Sequence, residues 1–174
     1  MKIAIDIGHA RMTGATGNGL QEHEVCTAIG RLLQDYLVNT FGCVTIIDFP
    51  EDSNAVDLRK TVKFVNASGA DLCISLHCDA SSNPSARGAH CIYVSPAGEK
   101  YAAAIAKHLC PIMPGRANRT VQRGNLYVLN NTRCPAVLVE CGFLTNSKDA
   151  DMLRHETYRI ARAIAAGVQD VAQA

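Results

Sequence analysis

Apolar residues fall into two rhythms along this chain. Short unbroken runs at residues 2–5, 43–47, 72–77, 89–94, 126–129 and 136–140 read as buried strands. Between them, apolar positions recur every three or four residues, the stripe of an amphipathic helix. Val25, Ile29, Leu32, Leu33 and Tyr36 mark a helix over residues 21–38. Val56, Leu58, Val62 and Val65 mark another over 52–69, with Ser53 or Asn54 as cap and Gly69 as stop. Ala102, Ile105 and Leu109 mark a third over 98–109. Residues 149–153 and 154–171 complete the helical set, the latter with Ile160, Ile164, Val168 and Val171 in register. Gly, Ser, Asn and Pro place loops at 13–19 and 79–88, and residues 111–124 read as an irregular basic loop.

Strands alternating with helices predict one α/β domain spanning residues 1–174. Its twisted sheet is expected to hold about six strands, mostly parallel or mixed, with helices on both faces. The short connection between residues 129 and 135 suggests an antiparallel hairpin there, hence a mixed sheet. No internal repeat or linker interrupts the pattern.

Composition narrows the function classes. The chain of 174 residues is 48% hydrophobic, which excludes a disordered segment. A net charge of +1 gives no general pull toward nucleic acid or an anionic membrane. No apolar run approaches the roughly 20 residues of a membrane span. Met1-Lys2 leads straight into a strand, so no signal peptide is expected and synthesis in the cytoplasm is. The 8 Cys include no Cys-x-x-Cys pair and read as small hydrophobes in a reducing compartment.

The chemistry gathers where strands end. The first runs into Asp6-Ile7-Gly8-His9, the second ends at His77, and the last ends at Glu140. In open α/β sheets ligands bind just beyond the carboxyl ends of strands. A catalytic zinc needs three protein ligands and one open position. His9 and His77 supply two, and Glu22 and Glu24 compete for the third. On a helix Glu22 shares the face of Val25, Ile29, Leu32 and Tyr36, the buried stripe, whereas Glu24 shares that of Ala28, Arg31 and Asp35. Glu22 therefore points inward, where a metal removes the cost of burying a carboxylate. His23 falls on the polar side with Thr27 and Gln34, and His155 on a solvated one; His90 and His108 have no partner nameable from sequence. Asp6 either orients a ligand or is structural. Arg116, Arg119 and Arg123 either meet substrate carboxylates or face water. A competing reading takes Cys78 or Cys141 as nucleophile with His9 or His77 as base. Strand alternation instead sends both thiols behind the site.

Four motifs in order carry a family resemblance: Asp-x-Gly-His at 6–9, Gly-Leu-x-Glu at 19–22, Ser-Leu-His-x-Asp-Ala at 75–80, and Val-Glu-x-Gly-Phe-Leu-Thr-Asn at 139–146. Together the chain resembles the zinc-dependent N-acetylmuramoyl-L-alanine amidases of the amidase_3 type, which include bacterial cell-wall hydrolases and phage endolysin catalytic domains. The resemblance runs from Ile3 to about Gly167. It implies one Zn2+ per chain on His9, Glu22 and His77, with Glu140 as the catalytic carboxylate. It implies hydrolysis of the amide between the lactyl group of N-acetylmuramic acid and L-alanine of the stem peptide. Peptidoglycan is then the partner, acted on at the cell wall by a monomer, with no nucleic acid or membrane involved. The chain departs from the family's usual residues at Ile7, Ala10, Arg11 and Asp79, on the rim of the site. No segment between residues 77 and 140 is spare for the blocking helix some members carry, so an open site is expected. A module that binds the wall without turnover is the remaining alternative, disfavoured by the presence of Glu140.

Overall fold

The computed structural model describes residues 1–174. Its elements in order are β1 (Lys2–Ile7), the two-residue strands β2 (Thr16–Gly17) and β3 (Leu20–Gln21), α1 (Glu22–Phe41), β4 (Cys43–Ile47), α2 (Asn54–Ser68), β5 (Leu72–Asp79), β6 (His90–Tyr93), α3 (Pro96–Leu109), β7 (Thr120–Gln122), α4 (Tyr127–Asn131), β8 (Ala136–Phe143), α5 (Ser147–His155) and α6 (Thr157–Ala172). Six strands form one sheet in the order β4-β1-β5-β8-β6-β7. All neighbours are parallel except β6 and β8. The β2–β3 pair is a separate antiparallel clasp.

Alternation along the strands divides the apolar residues between two faces. Ile3, Ile5, Ile7, Leu72, Ile74, Leu76, Val137 and Val139 pack beneath α1, α3 and α6, in a core of 32 buried residues. Ala4, Cys73, Ala136, Leu138 and Ile92 face α2 and α4, in a second core of 10. Gly69 ends α2 with φ +66°, the left-handed stop that glycine adopts without a Cβ clash. Ser95 caps α3 by accepting from the Gly98 N–H at 3.1 Å.

The single α/β domain, the six-stranded mixed sheet and the two-sided helical cover match the sequence reading; three details differ. Residues 126–129 were expected as a strand and instead start the short helix α4. Asn130, Asn131 and Thr132 donate back to the carbonyls of Leu126, Tyr127 and Val128, closing the turn. The sixth strand is β7, inside the supposed irregular loop, an edge strand with no apolar run to reveal it. The antiparallel neighbour of β8 is accordingly β6, distant in sequence, and not a hairpin partner.

Candidate metal centre and catalytic cleft

Gly8 extends β1 by one bond, its N–H donating to the Leu76 carbonyl at 2.9 Å. A Cβ here would lie 2.6 Å from the His77 ring, so only glycine lets the two strands deliver their histidines side by side. His9 itself takes φ +63°, a left-handed conformation uncommon outside glycine, which turns its ring back over the sheet. Asn54, at the start of α2, holds that turn: its Oδ1 accepts from the Ala10 N–H at 3.1 Å and the Thr13 hydroxyl at 2.7 Å. The rings of His9 and His77 meet edge to face, centroids 5.1 Å apart.

Glu22 opens α1 and is 2% exposed, while Glu24 lies in solvent, as helix geometry required. The clasp β2–β3 brings the backbone back so that the Glu22 N–H donates to the Ala15 carbonyl and the Ala15 N–H donates to Glu22 Oε2 at 2.7 Å. Glu22 Oε1 accepts from the Cys78 N–H at 3.0 Å and lies 3.1 Å from His77 Nδ1. Its Oε2 lies 3.5 Å from His9 Nε2. Gly14 is packed into the same corner; a Cβ there would stand 2.7 Å from Glu22 Oε2.

One donor atom each from His9, Glu22 and His77 falls within 4.8 Å of the others. Tetrahedral zinc at about 2.0–2.2 Å from its ligands separates neighbouring donors by roughly 3.4 Å. The two Glu22–His distances bracket that figure, and the donor set of two imidazoles and a carboxylate suits the ion. In the metal-free protein the same carboxylate governs the proton on His77. Burial pulls the imidazole down, but the Glu22 hydrogen bond and the charges of Glu140, Glu22 and Asp6 outweigh it and lift His77 to about 9.

Glu140 stands beside His77 in register on β8, and His90 of β6 stands on its other side. Glu140 Oε2 is buried without a hydrogen-bond partner. Burial lifts its carboxyl to about 7; His77 opposes that, and Asp79 and Glu22 add to it. A carboxylate of that affinity is suited to moving protons near neutrality. In front of it a cleft of about 400 Å³ runs between α2 and α4, lined by His9, Leu58, His77, Leu126, Leu138 and Glu140, with Arg123 also on its wall.

Other candidates fall outside this group. Cys78 and Cys141 lie in the core under α1 and α6, their thiols pushed well above the usual range, Cys78 by a hydrogen bond with the Cys26 thiol and by burial, Cys141 by burial. They offer no nucleophile to the cleft. His23, expected on a polar side, is buried and held 2.9 Å from Asp48 Oδ1, because the loop after β4 folds over that side of α1. His155 is solvated, as expected. Asp6 touches neither histidine; it accepts from Ser75 Oγ at 2.6 Å and Thr61 Oγ1 at 3.2 Å. Arg116 does not sit in a loose basic loop. Its guanidinium donates to His90 Nε2 at 3.3 Å, approaches Asp79 and stacks on Phe143. His90 is kept neutral by burial and by Arg116 and Arg123, which lower it to about 4. Arg119 is exposed. The part played by Asn54 had no signal beyond its place at a helix start.

The profile of the Amidase_3 family, N-acetylmuramoyl-L-alanine amidase, matches residues 3–170. The chain belongs to the N-acetylmuramoyl-L-alanine amidase family. It is 31% identical over 161 residues to the N-acetylmuramoyl-L-alanine amidase LytC of Bacillus subtilis, an alignment covering 90% of this chain and 32% of LytC. It is 29% identical over 171 residues to the amidase CwlM of Bacillus licheniformis, covering 97% of this chain and 67% of CwlM. Among solved structures, the catalytic domain of an endolysin targeting Clostridia Difficile superposes with a TM-score of 0.89 at 30% identity, covering 98% of this chain and 97% of that one. The catalytic domain of the amidase CwlV from Bacillus (Paenibacillus) polymyxa gives 0.85 at 26% identity, covering 99% of both. The chain thus spans about a third of LytC but nearly the whole of these amidase domains.

Proposed function

We propose that this chain is a zinc-dependent peptidoglycan amidase, cleaving the amide between the lactyl group of N-acetylmuramic acid and L-alanine of the stem peptide. One observation carries the reading: the His9–Glu22–His77 donor set opens onto a cleft whose next residue in register is the unpartnered carboxylate of Glu140. His9, Glu22 and His77 would hold one Zn2+ per chain, which would lower the pKa of a water and polarise the scissile carbonyl. Glu140, beside that donor set, would take one proton from the attacking water and return it to the nitrogen as the C–N bond breaks. The products are a lactyl carboxylic acid and a peptide with a free L-alanine amine, so atoms balance with one water consumed. Leu58, Leu126 and Leu138 give the cleft an apolar side. All four residues come from one chain, so a monomer suffices. The place of action is the cell wall.

Mass spectrometry of digested peptidoglycan tests this directly. Stem peptides beginning at L-alanine should appear, vanish with a chelator and return with zinc. Products cut elsewhere, activity indifferent to chelation, or binding to sacculi without release would overturn the assignment.

A further inference from the structure

Behind His9 and His77 lies a small chamber of about 120 Å³, lined by Asp6, Gly8, Asn54, Asp57 and Leu58 together with the two imidazoles. No Lys or Arg lines it. Asp57, in the first turn of α2, is 4% exposed, yet no side chain bonds its carboxylate. The charged groups facing it are Asp6 from β1, Asp48 and Asp52 from the loop after β4, and His23 from α1. The nearby basic side chains are already engaged: His23 lies 2.9 Å from Asp48, and Lys60 is held by Asp52 at 2.7 Å. Burial, then Asp6, Asp48 and Asp52, lift Asp57 to about 7. Two buried carboxylates therefore share the chamber with the metal-binding histidines, and no Lys or Arg lies against them.

Metal-ligating histidines almost always give their second ring N–H to a carboxylate, a carbonyl or water. The one protein hydrogen bond of His77 runs through Nδ1 to Glu22, leaving Nε2 free. The chamber has room for several waters. We infer that Asp57, with Asp6 beside it, is a positioning residue for the metal: through water in this chamber it orients the His77 ring, and the bound cation balances its charge. This rests on the zinc reading above. Asp57 touches no reacting atom. Its place in the protein costs stability when the metal is absent and is repaid when the metal binds.

That double effect gives the test. In Asp57→Asn, an isosteric neutral variant, the zinc dissociation constant, read by competition with a chromophoric chelator, should rise about tenfold or more. The metal-free variant should melt about 3 °C higher than the metal-free parent, because an unpaired buried charge is gone. Asp57→Ser should move both quantities the same way, and Glu51→Gln, an exposed acid paired with Arg11, should move neither. Unchanged or tighter zinc binding in Asp57→Asn overturns the inference. So does weaker binding with a lower metal-free melting temperature, the mark of a purely structural part. Failure of the parent protein to bind zinc is a separate result and removes the zinc reading itself.

Discussion

The two faces of the sheet are built to different ends. Under α1, α3 and α6 the strands present isoleucine, leucine and valine along their whole length, and the interior is closed. Under α2 and α4 the same strands present Ala4 then Asp6, Cys73 then Ser75 and His77, Ala136 then Leu138 and Glu140. Apolar side chains give way to polar ones toward the carboxyl ends. The cover also thins, since α4 is only 5 residues long and leaves the cleft open beside it. One face supplies cohesion; the other surrenders some of it to expose a polar row. Buried polar groups such as Asp6 and Asp57 belong to the second face, where tight apolar packing would have filled the space they need.

The contrast can be broken most sharply at Glu22, the one polar side chain reaching the row from the closed side. Glu22→Ala should abolish stoichiometric zinc binding, seen by metal analysis after gel filtration, while Glu24→Ala keeps it; equal loss would contradict the helix register. Next in size, Glu140→Gln should lower turnover about a thousandfold with zinc retained; loss of zinc would move Glu140 among the ligands. On the closed face, Leu33→Ala should cost about 3 kcal/mol in denaturant titration. On the open face, Leu58→Ala should cost under about 1 kcal/mol, because Leu58 is only half-buried, and should raise KM instead. A further effect concerns pH. His77 in the metal-free protein is lifted from 6.5 to about 9, so the folded state binds its proton more tightly than the unfolded one. The stability this gives is complete below pH 6.5 and is lost as pH rises through about 9. Metal-free parent should therefore melt a few degrees lower at the top of that window, and Glu22→Gln should show a flatter profile.

Much of this was legible in the sequence because burial leaves a period. The stripe from Val25 to Leu33 fixed the rotation of α1 and hence the choice of Glu22. The runs ending at His9, His77 and Glu140 announced their positions because parallel strands must be apolar on both faces. What stayed hidden had no period to show. β7 is three residues at an edge, mostly solvated, and its Thr-Val-Gln resembles any loop. The run at 126–129 is too short to distinguish strand from helix, and the decision fell to the Asn and Thr side chains after it. The lock of Arg116 on His90 and Asp79, the burial of His23 against Asp48 and the chamber at Asp57 join residues far apart in sequence. No local pattern encodes them.

The place of β8 has a consequence for how the protein comes into being. His9, Glu22 and His77 are all synthesised before it, yet β8 sits between β5 and β6, both made earlier. A growing chain on the ribosome must therefore hold two strands apart, or let one rearrange, until the segment carrying Glu140 emerges. Before that moment β5 and β6 offer raw edges to any passing strand. A chain halted short of β8 therefore lacks Glu140 and keeps both of those edges unpaired.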